Sequence, residues 1–477
     1  MTRRLPLLAG LVLAALLLVS CGGGSSRPPR REVILSSEAV DERVGREAAA
    51  DVTAGLGIVQ DPGLEKYVND LGQRMARNAP RGGFEYHFAI VDQDAPNAFA
   101  LPGGYIYVSR GLLLLANSED EVANVLGHEI VHVASRHSAA RQAVIQGLPG
   151  PIKFFAQGYI AGYSRDQERE ADRLGQGLAG VAGFDPASMA TFLKQLEFTE
   201  RLRLGASRLP RFFDTHPATT ERVAAAGARA RMVAWQRPPG PAPTRADYLH
   251  RIEGLVVGTG AAEGVFQGER FIHPDLNFGL RFPDAWITMN THVAVAAVNP
   301  THDAQIILEG QGAAKSPEAA ASTYLAKPEN RGIAIESAAP LLIGDFDAYR
   351  IEGKVPTPYG WLPIGITWVI RDDMAFRFTL VARPGAYSRN QSTYGAVVRS
   401  FRPLTPQVRN SVHEDRLHIA TAQPGEDLAA VSQRTQNQWD LQTTAVYNGI
   451  FATDALRPGQ LVKVAVSRLH TPDRPTR

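Results

Sequence analysis

The chain reads as blocks of helical period followed by blocks of strand period. Apolar positions recur at helical spacing from residue 37 to about 56. They do so again over 62–79, where Tyr67, Val68, Leu71 and Met75 fall on one face. The pair Asp61-Pro62 is a helix start, since Asp caps free amides and Pro fits the first helical position. Residues 84–91 alternate like a strand, and 98–101 and 105–108 flank Pro102-Gly103-Gly104 as the arms of a hairpin. Helical spacing then dominates from Gly111 to about Trp235. Residues 237–243 hold four prolines and mark the clearest boundary. Beyond it the texture turns to short strands at 277–283, 305–308, 346–351 and 376–380. Helical pieces near 316–325 and 388–401 make this an α+β region. A last small unit runs from about His413 to Ser467.

Composition narrows the chemistry. Lys+Arg is 50 against 48 Asp+Glu, so the net charge of +2 argues against nucleic acid as a partner. Cys21 is the only cysteine, which excludes an internal disulfide, a Cys-rich zinc finger and an iron–sulfur site. Any metal site must then be built from His, Asp and Glu. Arg3 and Arg4 precede an apolar run from Leu5 to Val19 that only Pro6 and Gly10 interrupt. The run is shorter than the roughly 20 residues a membrane helix needs and has the form of a signal-peptide core. Its end, Leu18-Val19-Ser20-Cys21, resembles a bacterial lipobox, which implies cleavage before Cys21 and a lipid on its thiol. Gly22 follows rather than Asp, and by that resemblance attachment to the periplasmic side of the outer membrane is expected.

The motif His128-Glu129-Ile130-Val131-His132 carries the chemistry. It lies in a Pro-free stretch, 119–137, with Ser118 as a candidate N-cap. In a helix, His128 and His132 are one turn apart, so both imidazoles reach one ion. Glu129 then sits beside the open coordination position, where a general base is needed. Chance gives about 0.015 such matches in a chain of this length and composition. A catalytic zinc needs a third protein ligand. Glu168 is the best candidate, with Asp172 one turn on, hydrogen-bonding a ligand histidine and fixing its tautomer. A charged, solvated helix start is the competing reading of 164–172. For His137, off the ligand face, a structural or surface role is expected.

The set His128-Glu129-x-x-His132, Ser164-Arg165 and Glu168-x-x-Ala171-Asp172 resembles the gluzincin-type metallopeptidase family of the CAAX prenyl endopeptidase and the HtpX heat-shock protease. It is more similar to the soluble periplasmic branch, which works in outer-membrane protein quality control. The resemblance covers about residues 40–235, and Asn97-Ala98-Phe99-Ala100 with Pro102-Gly103-Gly104 belongs to it. It implies Zn2+, one per chain, on His128, His132 and Glu168. Thr215-His216-Pro217 through Arg222 resembles another family element, which implies that His216 blocks the open position in a latent form or assists catalysis, with Arg222 an oxyanion partner. A capping role in a loop is the alternative for His216. The strand of Tyr105, Ile106 and Tyr107 is expected to offer an exposed edge where an extended peptide adds by main-chain hydrogen bonds.

The expected architecture is α+β. A leader (1–20) and a lipidated tether (21–36) precede a mostly helical zincin-type metallopeptidase domain with a small β-hairpin or sheet (37–236). A Pro-rich linker and connecting segment (237–268) leads to an α+β domain (269–405) that loosely resembles PsbP. Gln423-Pro424-Gly425-Glu426-Asp427-Leu428, Asn448-Gly449-Ile450 and residues 456–464 resemble a LysM module, so 413–467 is expected to be βααβ. That resemblance implies peptidoglycan as a partner; a small interaction domain without glycan affinity is the alternative. The leading function is a zinc endopeptidase, active or latent, acting on misfolded or unassembled envelope proteins. A zinc-stabilised chaperone or scaffold with little proteolysis is the alternative.

Overall fold

A computed structural model describes residues 37–80, 83–137, 163–202, 216, 220–238, 243–357 and 360–471. The expected leader, Cys21 and tether lie outside these residues. The chain divides into two compact units. Of the described residues, one takes 37–260 together with 413–469, and the other takes 261–412.

The first unit opens with helix α1 (Glu38–Leu56), capped by the Ser37 side chain accepting from the Val40 amide. Helix α2 (Pro62–Ala76) starts where Asp61 accepts from the Gly63 and Leu64 amides. Its Tyr67, Val68, Leu71 and Met75, the face read from the sequence, are buried, and Leu64 with them. Strands β1 (His87–Val91), β2 (Ala98–Ala100) and β3 (Tyr105–Ser109) follow. The hairpin is present, with Ala98 opposite Val108. Its turn needs glycine: Gly103 has φ 74°, and a Cβ there would lie 2.6 Å from the Glu42 Cα.

The sheet order is β1-β3-β2, which corrects the expected substrate edge. Strand β3 runs parallel to β1 on one side and antiparallel to β2 on the other. The main chain of Tyr105, Ile106 and Tyr107 is therefore committed on both sides. The physical reason is the continuous apolar run, which suits a central, doubly covered strand: Ile106 is 1% exposed and Tyr107 5%. Both β1 and β2 are paired on one side only within this sheet, and β2 is the one packed against the helix that carries His128 and His132.

Helices α3 (Arg110–Leu115), α4 (Glu119–Ala134), α5 (Arg165–Val181), α6 (Ser188–Leu202) and α7 (Thr220–Ala230) form the helical body. The segment expected as linker carries α8 (Arg245–Ile252), whose Tyr248, Leu249 and Ile252 are buried, and then strand β4 (Val256–Val257).

The second unit holds strands β5 (Val265–Gln267), β6 (Arg270–His273) and β7 (Phe278–Arg281). A seven-stranded sheet follows, made of β8 (Ile287–Asn290), β9 (Ala294–Val298), β10 (Ala304–Ala313), β11 (Ala334–Ile343), β12 (Phe346–Thr357), β13 (Gly360–Arg371) and β14 (Met374–Ala382). Its order is β11-β12-β13-β14-β10-β9-β8, with antiparallel pairing throughout. Helix α9 (Pro317–Ala326) packs on one face, where Ala320, Ala321, Ile351, Ile366 and Trp368 share a core. Helix α10 (Pro384–Arg399) packs on the other, where Tyr394, Val397 and Val398 meet Phe378 and Leu380. This region is α+β.

Residues 413–469 return to the first unit as β16 (His413–Thr421), α11 (Leu428–Thr435), α12 (Leu441–Asn448) and β17 (Leu461–Leu469), with β15 (Arg402–Pro403) preceding them in the second. The strand–helix–helix–strand order is as expected. The two long strands pair antiparallel, and β16 also pairs with β4. Leu417, Ile419, Tyr447 and Ala465 join one hydrophobic core with Leu113, Val122, Leu126, Tyr248 and Leu249. Lys463 is fully buried in that contact. Its Nζ donates to the carbonyls of Leu114 (2.7 Å), Leu115 (3.2 Å) and Ala116 (2.9 Å). These carbonyls end α3 and have no partner within it, so the ammonium caps a helix C-terminus. Burial pushes Lys463 well below the ordinary lysine value, and the Glu121 carboxylate opposes that shift.

Candidate metal centre

The site is built on α4. Ser118 caps it by accepting from the Glu121 amide, as its sequence position implied. Every residue from 121 to 134 is buried, so the helix lies inside the core rather than on a surface. His128 and His132 are both 0% exposed, as is Glu129, so none of the three faces solvent. Helix α5 starts with a reciprocal box in which Ser164 and Gln167 cap each other. It crosses α4 at Gly127 and Gly175. A Cβ on Gly127 would lie 2.9 Å from the Gly175 oxygen, and one on Gly175 would lie 2.8 Å from the His128 nitrogen. Two glycines thus let the helix backbones approach until a side chain of α5 reaches the imidazoles of α4. Glu168 and Asp172 are those side chains, 3% and 1% exposed. A solvated helix start does not describe them.

The donors converge. His128 Nε2 lies 3.0 Å from His132 Nε2. Glu168 Oε1 is 3.4 Å from His132 Nε2, and Glu168 Oε2 is 3.7 Å from His128 Nε2. His216, 0% exposed, enters the same group. Its Nδ1 is 3.1 Å from His128 Nε2 and 2.8 Å from Glu168 Oε1. Its Nε2 is 3.5 Å from Glu129 Oε1. The neighbours of His216 at 215 and 217–219 lie outside the described residues. One ligand atom from each of His128, His132, Glu168 and His216 falls within 4.8 Å of the other three. Three imidazole nitrogens and one carboxylate are the donor types and the number that tetrahedral zinc takes, so the residues fit the ion.

Further side chains hold these groups. Asp172 Oδ1 lies 3.1 Å from His128 Nδ1, which leaves Nε2 for a metal. Arg222, 7% exposed, grips both carboxylates. Its Nη1 is 2.7 Å from Glu168 Oε2, and its Nη2 and Nε lie 2.8 and 2.9 Å from Asp172. The guanidinium expected at an oxyanion is thus engaged in orienting Glu168 and Asp172. One contributor was missed by sequence reading. Where a structural or surface role was expected, His137 Nδ1 lies 3.0 Å from His132 Nδ1.

The charges are tuned accordingly. Burial alone would raise Glu168, but His216 and His128, with hydrogen bonds from His132 and His216, hold it far below the usual carboxylate range. Burial likewise opposes ionisation of Asp172, and its bonds to His128 and Arg222 bring it well below its ordinary value. Burial disfavours charge on His132 and its value falls, whereas Glu168 and Asp172 more than offset burial for His128, which rises. Both carboxylates are lower in the fold than in the unfolded chain. Their ion pairs therefore stabilise at neutral pH, and that contribution is lost as pH drops below about 4. Arg222→Met is expected to cost about 3–5 kcal/mol by leaving two buried carboxylates short of counter-charge. The readout is the denaturant midpoint of the metal-free chain; an unchanged midpoint would reject the assignment.

Comparison with known proteins agrees with this geometry. Residues 62–159 and 148–230 match the sequence profile of peptidase family M48. The chain is 33% identical over 222 residues to the beta-barrel assembly-enhancing protease of Yersinia pestis, covering 41% of this chain and 44% of that protein. It is 32% identical over 199 residues to the Escherichia coli (strain K12) protein of the same name, covering 36% and 40%. It is 28% identical over 201 residues to the mitochondrial metalloendopeptidase OMA1 of Schizosaccharomyces pombe, covering 38% and 59%. The chain thus spans less than half the length of the two bacterial relatives. The solved cyanobacterial PsbP of Synechocystis aligns with 29% of this chain at a TM-score of 0.26 and 11% identity, too little to carry a fold argument. The buried histidine and glutamate donors all lie within the stretch that matches the profile: residues 62–230 resemble peptidase family M48, and their four donors are a set that could hold a metal ion.

Proposed function

We propose that the chain is a zinc-dependent endopeptidase that cleaves misfolded or unassembled cell-envelope proteins, and that its resting site is closed by His216. The observation that carries this reading is the fourth donor. His216 Nδ1 stands among the donor atoms of His128, His132 and Glu168, in the place an attacking water would need. In this reading His128, His132 and Glu168 hold zinc. When bound, zinc supplies Lewis acidity, which lowers the pKa of a water and polarises a peptide carbonyl. Glu129 takes the proton from the attacking water and returns it to the leaving amine. Asp172 fixes the tautomer of His128, and Arg222 keeps Glu168 and Asp172 ionised and in place.

The edge available to an extended substrate is β2, Ala98–Ala100, which pairs with β3 on one side within its sheet. Main-chain hydrogen bonds there would depend little on side chains and suit unfolded chains. The names of the bacterial relatives support substrates from β-barrel assembly. Attachment through a lipid on Cys21 to the periplasmic side of the outer membrane remains part of the proposal, as do a LysM-like role for 413–467 and its contact with peptidoglycan. Among the described residues, no helix is long and apolar enough to cross a membrane.

The same closed set of four donors also fits a zinc-stabilised scaffold or chaperone. Casein hydrolysis and zinc content of the chain from residue 22, with and without His216→Ala, separate the two. Zinc near one per chain in both, with hydrolysis rising at least about tenfold in the variant, is the expected result. Bound zinc with no hydrolysis in either form favours the scaffold.

A further inference from the structure

His137 lies beyond the end of the metal-bearing helix, yet the chain is bent to bring it back. Helix α4 ends at Ala134, with Ser135 as its C-cap. Arg136 then adopts a left-handed conformation with φ 58°, unusual for a residue with a side chain. That turn is anchored by Arg136 Nη2 and Nε on Asp41 Oδ2 at 2.6 and 2.7 Å, a carboxylate of α1 that is 4% exposed. The turn places the His137 ring, 8% exposed, against the back of His132. The two Nδ1 atoms are 3.0 Å apart. Tyr163 stacks on the same imidazole, with ring centroids 3.7 Å apart and planes 19° from parallel. His132 is thus held by a ring on its face and a nitrogen on its edge.

Resting on the zinc reading above, we infer that His137 is a positioning residue for the metal: it accepts a hydrogen bond from His132 Nδ1–H and so fixes the tautomer that offers Nε2 to zinc. The two Nδ1 atoms cannot both carry protons at this distance, so one imidazole donates and the other accepts. A His132 that binds metal through Nε2 carries its proton on Nδ1, which makes His137 the acceptor. The proton of His137 then sits on Nε2, which faces Glu170 Oε2 at 3.7 Å. An imidazole that accepts at Nδ1 and keeps its proton on Nε2 is neutral. The two α4 ligands are therefore backed differently. His128 has an ionised carboxylate at Nδ1, and His132 has a neutral imidazole. Asp172 makes His128 the more basic ligand, while His137 orients His132 without adding charge beside the ion.

The test is zinc affinity rather than activity, measured on the chain from residue 22 by competition with a chromogenic chelator. His137→Phe keeps a ring of similar size and removes the acceptor, and it should weaken zinc binding about 10- to 100-fold. His137→Asn places an amide oxygen near the position of Nδ1 and should bind within about threefold of the parent. Thermal melting of the two metal-free variants should match, which separates orientation of the ligand from packing. His137→Phe binding zinc as tightly as the parent overturns the inference, and so does equal loss in both variants. A parent chain that binds no zinc instead overturns the metal-centre reading beneath it.

Discussion

Glu129→Gln, made in the His216→Ala background, should abolish casein hydrolysis while zinc stays at one per chain. A general acid–base group contributes about a hundred- to ten-thousand-fold to such a reaction, and the amide cannot take the proton. Zinc should be retained because the donors left in this background are His128, His132 and Glu168, and Glu129 is not among them. Glu129 is 0% exposed, and a buried neutral amide carries less desolvation cost than a buried carboxylate. The melting temperature of the variant should therefore stay level or rise, which separates lost chemistry from lost fold. Glu168→Gln should behave in the opposite way. It removes a charge that His132, His216 and Arg222 all face, so zinc and hydrolysis should be lost together. Casein hydrolysis by Glu129→Gln at the rate of its background would remove Glu129 as the base.

Much of this site was legible in the sequence because it obeys helical arithmetic. The spacing of His128 and His132, the cap at Ser118 and the one-turn step from Glu168 to Asp172 are local facts that a period of 3.6 residues converts into shared faces. What joins those faces is not local. The Gly127–Gly175 crossing pairs two residues that neither helix marks as special. His216 reaches the donors from a segment with no regular period, so its approach to them is set by tertiary packing alone. His137 escaped because helical spacing carries it off the ligand face, whereas the helix ends first and Arg136 reverses the chain. Strand β3 shows the same limit in a sheet. Its apolar run announced a strand, but its parallel neighbour β1 comes from a separate segment, and pairing decides which strand is the edge. The sequence does carry a signal that residues 413–469 are tied to the metal-centre unit: Lys463 interrupts the apolar run of 461–466. A charge at the centre of a buried strand needs partners, and here they lie in α3.

That tie leads to the second large effect. A chain ended at residue 412 should fail to form the metal-centre unit, although the four converging donors all precede the cut. Leu417, Ile419 and Tyr447 fill the same core as Leu113, Leu126 and Tyr248. At roughly 1.5–3 kcal/mol for each large apolar side chain buried, losing three removes about 5–9 kcal/mol. A typical domain has only about 5–15 kcal/mol in total. The cut also strips β4 of its partner β16 and leaves the carbonyls of residues 114–116 buried without the lysine. Lys463→Met isolates that last part. It keeps the apolar stem and removes the donors, and it should cost about 3–5 kcal/mol, read as a lower denaturant midpoint. The damage should reach the metal. Asn117 and Glu121, which are buried beside Lys463 and Arg245, lead into the first turn of α4. Glu121 accepts from the Asn117 amide at 2.6 Å and from the Thr191 hydroxyl at 2.7 Å, so the start of the metal-bearing helix is fixed through this cluster. Zinc content should fall in step with the fraction folded across a Lys463→Met denaturation series. Residues 37–412 alone, binding zinc and melting like the full chain, would make 413–469 a detachable appendage. That outcome would require α3 and α8 to find other cover for side chains that are now 0% exposed, among them Leu113, Leu115, Leu249 and Ile252.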